Sequence, residues 1–126
     1  MSQWTHVCGA IRYDNMMLAI SLPQFKEMVA ERLAIKAPEP LPAGSEGPLT
    51  VTVHKRDETD GYDYMSTMLI IGDLCDFGND ELPTLEEWWE RATTNLPNGI
   101  LVRAAVLQVA VEGQEPIVWQ HKLPDE

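Results

Sequence analysis

Two stretches of this chain repeat their apolar residues with a helical period, and each lies between stretches whose apolar residues alternate. Leu22, Phe25, Met28, Val29 and Leu33 follow a period near ~3.6, which predicts a helix over about 22–35. Ser21 stands where an N-cap would, with Pro23 in the first turn. Leu85, Trp88, Trp89 and Ala92 repeat the pattern, and Thr84 with Glu87 has the spacing of a capping box.

The flanking segments read as strands. Thr5, Val7, Gly9, Ile11 and Tyr13 alternate with Trp4, His6, Cys8, Ala10 and Arg12, which predicts a strand over 4–13. Leu49, Val51, Val53 and Lys55 alternate with Thr50, Thr52 and His54. The segment 64–74 is apolar on both faces, with Met65, Leu69 and Ile71 on one and Met68, Ile70 and Leu74 on the other. That is the pattern of a central or doubly covered strand. Asp60-Gly61 predicts a hairpin turn between these two strands. Residues 100–111 form another strand, which Glu112 to Glu115 turns into a last one over 116–123. There Val118 and Gln120 share one face, and Ile117, Trp119 and His121 the other.

The order is β-α-β-β-α-β-β. Its first six elements follow the ferredoxin-like split βαβ order, with a hairpin strand appended. The expected fold is α+β: an antiparallel sheet carrying two helices on one face and open on the other. Residues 37–48, with four prolines and two glycines, predict an extended loop inside one domain of 126 residues.

Charge narrows the function. Twenty acidic residues against nine Lys and Arg give a net charge of −11, which argues against a nucleic-acid binder. The excess is local: residues 57–90 hold eleven acids and no Lys or Arg. No apolar run approaches the ~20 residues of a membrane span, and the opening residues lack the basic start and apolar stretch of a signal peptide. A cytoplasmic protein is expected, with Cys8 and Cys75 as reduced, mostly buried thiols.

No residue set predicts catalysis, a metal or a cofactor. His6, His54 and His121 fall on three strands and could converge on zinc, but none has a second ligand at helix or strand spacing. Asp73 and Asp76 flank Cys75, where they would oppose thiolate formation rather than promote it. Gly44-Ser45-Glu46-Gly47 precedes a strand and carries a glutamate, unlike a phosphate-binding loop. Trp88 and Trp89 lie ~100° apart on a helix, so one of them is expected to be partly exposed or packed under a loop. Trp4 and Trp119 are expected on the open sheet face, making an apolar patch suited to a homodimer.

The opening Ser2-Gln3-Trp4-Thr5-His6-Val7-Cys8-Gly9-Ala10-Ile11-Arg12-Tyr13-Asp14 resembles the start of small bacteriophage proteins. Gly44-Ser45-Glu46-Gly47 and Ile71-Gly72-Asp73-Leu74 are similar in order and spacing. The resemblance implies a phage accessory protein working in the host cytoplasm, of the kind that inhibits host defence as anti-CRISPR proteins do. It implies no catalytic residue.

On this reading a host protein with a basic surface docks on Asp57, Glu58, Asp60, Asp63, Asp73, Asp76, Asp80 and Glu81. The split βαβ order places the acids before and after the third strand at its opposite ends, so two patches are expected rather than one. The first alternative is an oligomeric small-ligand or nucleotide binder using His6, Arg12, Arg103 and His121, with Trp119 stacking on a base. The second is a virion or morphogenesis component.

Overall fold

The computed structural model describes residues 3–15, 42–55, 65–94, 96 and 100–122. The helix expected at 22–35 and the turn at Asp60-Gly61 lie outside them. The elements are β1 (Trp4–Asn15), β2 (Ala43–Gly44), β3 (Gly47–Pro48), β4 (Thr50–Lys55), β5 (Met65–Cys75), α1 (Leu82–Thr93), β6 (Ile100–Val111) and β7 (Ile117–Lys122). Five strands form one antiparallel sheet in the order β4-β5-β1-β6-β7. The fold is therefore α+β, and the hairpin strand expected at the end is β7, paired to β6.

The alternation along β1 sorts as the pattern demands. Thr5, Val7, Ile11 and Tyr13 are buried, while His6 and Cys8 on the other face are exposed. Cys8 is thus not the buried thiol expected from its type; only Cys75 is buried. On β5, Met68, Ile70 and Leu74 are buried but Leu69 and Ile71 are exposed. An interior strand can be apolar on both faces and still have one of them uncovered.

A bulge on β6 resolves a conflict in its pattern. Ile100 and Val102 are buried, and so are Ala105, Leu107, Val109 and Val111, which have the opposite parity. Tyr13 pairs with Val102 and Arg12 with Ala104, so Arg103 is the extra residue that lets both sets face the core. Gly9 sits on the same inner face, where an added Cβ would lie 2.3 Å from the Val106 carbonyl oxygen. Only glycine fits there.

The helix starts earlier than the capping-box spacing predicts. A 3₁₀ turn, Asn79–Glu81, leads directly into α1, and Pro83 falls in the first helical turn. Thr84 is therefore inside the helix. The Glu81 carboxylate instead accepts the Gly78 backbone N–H at 2.8 Å. Both Trp88 and Trp89 are buried, together with Leu85 and Ala92, so of the two expected outcomes the partly exposed indole is not found. Neighbouring helical positions can both be buried when the helix is enclosed over more than its sheet-facing side. Trp119 also corrects an expectation: it pairs with Leu107 on the inner face and packs against the core rather than on the open face.

Two side-chain bonds tie β1 to distant segments. The Tyr13 hydroxyl donates to the Ala92 carbonyl in the last turn of α1, one of the carbonyls a helix end leaves without an intrahelical donor. The Thr5 hydroxyl donates to the Phe77 carbonyl. Within the Pro-rich stretch, β2 and β3 form a two-residue ladder where an irregular loop was expected. Ser45 N–H donates to the Cys75 carbonyl at 2.9 Å, and an added Cβ on Gly44 would lie 2.4 Å from that oxygen. The lack of a side chain at Gly44 is what lets this segment lie against the Cys75 backbone.

Candidate partner-binding surfaces

The chain from Asp76 to Glu90 turns one set of side chains inward and another outward. Phe77, Leu85, Trp88 and Trp89 go to the core. Asp76, Asp80, Glu81, Glu86, Glu87 and Glu90 are all exposed. Asp76 adopts φ 56°, a left-handed conformation that aspartate tolerates better than most residues, and it opens the turn out of β5. Asp80 and Glu81 then precede α1, where the positive end of the helix dipole favours anions. The helical period places Glu86, Glu87 and Glu90 opposite the buried indoles. A depression of about 450 Å³ is lined by Gln3, Asp76, Asn79, Asp80 and Glu81. Another of about 320 Å³ lies among Pro83, Glu86, Glu87 and Glu90. Six carboxylates thus share one continuous loop-and-helix segment.

The open face of the sheet is a second surface, built in cross-strand rows. One row is Asp73, His6 and Ala110; the next is Thr50, Ile71, Cys8, Gln108 and Val118. Then come Thr52, Leu69, Ala10, Val106 and Gln120, and after them Thr67, Arg12, Ala104 and Lys122. Leu69 is 41% exposed, Ile71 56%, Val106 44% and Val118 47%, so the two middle rows form an apolar band.

The ends of that face differ in charge. At one end His6 Nδ1 lies 2.6 Å from Asp73 Oδ1, and Nε2 lies 3.1 Å from Glu112 Oε2. The Trp4 ring stacks on the imidazole, 4° from parallel at 6.5 Å. Hydrogen bonds to Asp73, then to Glu112, favour the imidazolium and raise the His6 pKa above its ordinary 6.5. At the other end the Arg12 guanidinium donates to the Thr67 hydroxyl at 2.8 Å. Arg12, Thr67, Gln120, His121 and Lys122 line a depression of about 500 Å³ together with Ala10, Ala104, Ala105 and Val106.

The residues expected at a partner site are divided by this arrangement. Asp57, Glu58, Asp60 and Asp63 lie outside the described residues. Asp76, Asp80 and Glu81 come together, whereas Asp73 stands apart on the open face against His6. The set expected at an anionic ligand comes together only in part. His6 and Arg12 share a face but are six residues apart along β1, roughly 20 Å. His121 lines the same depression as Arg12, Trp119 packs against the core on the opposite face, and Arg103 is held by the buried Asp14 carboxylate at 2.9 Å. Among the described residues no three His, Cys, Asp or Glu side chains are placed to hold a metal. None of their helices is long and apolar enough to cross a membrane.

Two contributions were missed in the sequence. Glu86, Glu87 and Glu90 extend the acidic surface, and the period that buries Leu85, Trp88 and Trp89 already placed them outward. Glu112 was read only as a turn residue, since its reach to His6 depends on the β1–β6 register. Comparison with protein-family models, with curated proteins and with solved structures found no match.

Proposed function

We propose that this chain is a non-catalytic binding protein whose acidic surface over Asp76 to Glu90 sequesters a partner carrying a basic surface. The observation behind it is the six exposed carboxylates carried by one loop and one helix. Dense like charge of this kind accelerates encounter with an opposite patch and penalises other partners. The resemblance of the opening residues to bacteriophage proteins suggests the partner's class, a host protein such as a defence component, and with it a bacterial cytoplasm. We also propose the full ferredoxin-like arrangement, in which residues 22–35 supply a second helix. The order β4-β5-β1-β6 supports it, because a split βαβ repeat places its first and third strands side by side in this way.

The test is capture from host extract at two ionic strengths, with the wild type and with Asp80→Lys, Glu86→Lys and Glu90→Lys combined. A captured protein retained at about 50 mM salt, released by about 300 mM, and lost from the triple variant is expected. Equal capture by the folded triple variant would overturn the reading.

A further inference from the structure

His6 has two carboxylate neighbours that a neutral ring cannot satisfy together. Its Nδ1 lies 2.6 Å from Asp73 Oδ1 on β5, and its Nε2 lies 3.1 Å from Glu112 Oε2, where β6 gives way to the turn into β7. An ionised carboxylate only accepts, and a neutral imidazole has one N–H, so both contacts hold only in the imidazolium. We infer that His6 is a proton-operated latch. Protonated, it ties the turn after β6 to β5 across β1; on losing its proton it keeps Asp73 and drops Glu112.

Geometry selects the contact that is lost. The Asp73 contact is the shorter, at the strong end of charge-assisted hydrogen bonds. Asp73 is also the pairing partner of His6 on an interior strand, whereas Glu112 lies just beyond the last residue of β6. Strand pairing holds the first carboxylate in place, and a turn residue moves at lower cost. The one proton of the neutral ring therefore stays on Nδ1, which sets the tautomer. Nε2 then presents a lone pair to the Glu112 carboxylate, acceptor against acceptor. Glu112 is 53% exposed and can turn to water.

The other residues facing the ring do not compete for its proton. They are Trp4 and Cys8 on β1 and Ala110 on β6, and among the described residues the charges acting on the ring are Asp73 and Glu112. Hydrogen bonds to Asp73, then to Glu112, move proton release above the ordinary 6.5. Release takes a positive charge from this end of the sheet and uncovers a carboxylate. The turn is then tied to β1 through its main chain, by the Glu112 N–H on the Trp4 carbonyl at 3.0 Å. The latch does not rest on the partner proposed for the acidic surface.

Nuclear magnetic resonance of the full chain, with isotope-labelled histidine rings and side-chain carboxyls, tests this from about pH 5 to about pH 9. Below the His6 midpoint both ring nitrogens should be protonated. Above it Nδ1 should stay protonated and Nε2 should be bare, and the Glu112 carboxyl signal should move at the same midpoint. Asp73→Ala should transfer the neutral ring's proton to Nε2, and Glu112→Gln should lower the midpoint while Nδ1 stays protonated. A wild-type ring whose neutral form carries its proton on Nε2 overturns the inference. So does a Glu112 signal that does not follow the His6 midpoint, or a midpoint that Glu112→Gln leaves unchanged. The first two readouts come from the wild type, so they do not depend on the folding of a variant.

Discussion

His6 is held by carboxylates on both ring nitrogens, so its charge state controls the contacts at that end of the sheet. Its folded pKa is raised above the unfolded 6.5, so protonation favours the folded state. That contribution is complete below about 6.5 and disappears as pH rises through the higher folded value. His6→Gln should therefore lower the melting temperature more at pH 6 than at pH 9, as read by thermal unfolding across that range. A constant gap would assign the effect to stacking on Trp4 instead. Tyr13 gives a plainer case. Tyr13→Phe removes the donor to the buried Ala92 carbonyl and should cost about 1–3 kcal/mol in denaturant unfolding. Much at this scale was visible in the sequence: period-two spacing alone separated Val7 and Ile11 from His6 and Cys8. The His6–Glu112 contact was not, because 106 positions separate the two residues and only strand register joins them.

Element boundaries and faces show where local patterning stops being sufficient. The two apolar periods located α1 and every long strand described, but not the helix start, which a 3₁₀ turn and the Glu81 carboxylate set ahead of Thr84. Nor did patterning assign Trp88 and Trp89, since two adjacent indoles reveal their burial only once the helix is packed. β6 is the clearest example. Ile100 to Val102 are all apolar, so no alternation marks the parity change at Arg103. Deleting Arg103 removes the extra residue and leaves Tyr13 opposite Val102 and Arg12 opposite Ala104, so Ile100 and Val102 keep facing the core. Arg103→Ala keeps the register and loses the contact with Asp14, whose carboxylate is 2% exposed. Both changes should leave a folded chain weakened by about 1–3 kcal/mol, because each takes the same partner from the buried Asp14 carboxylate. A deletion that abolishes the cooperative unfolding transition while Arg103→Ala retains it would show that the bulge itself, and not only the contact with Asp14, is required.

Among the described residues the exposed carboxylates are not spread evenly over the two sides of the sheet. The loop-and-helix side carries the six carboxylates of 76–90, whereas the open face sets Asp73 and Glu112 against His6 at one end of an apolar band. The sequence located the acidic segment but not this division, which follows from which strands are neighbours and which face α1 covers. If the acidic surface alone carries the partner, damage to the open face should leave capture working. Ile71→Lys should still capture the same host protein in a salt-sensitive manner. The Asp80, Glu86 and Glu90 charge reversal should capture nothing. A capture that disappears with Ile71→Lys, in a chain whose circular dichroism spectrum is unchanged, would mean that the partner sits on the sheet. The charge reversal checks that outcome, because a partner seated on the sheet would still be captured by that variant.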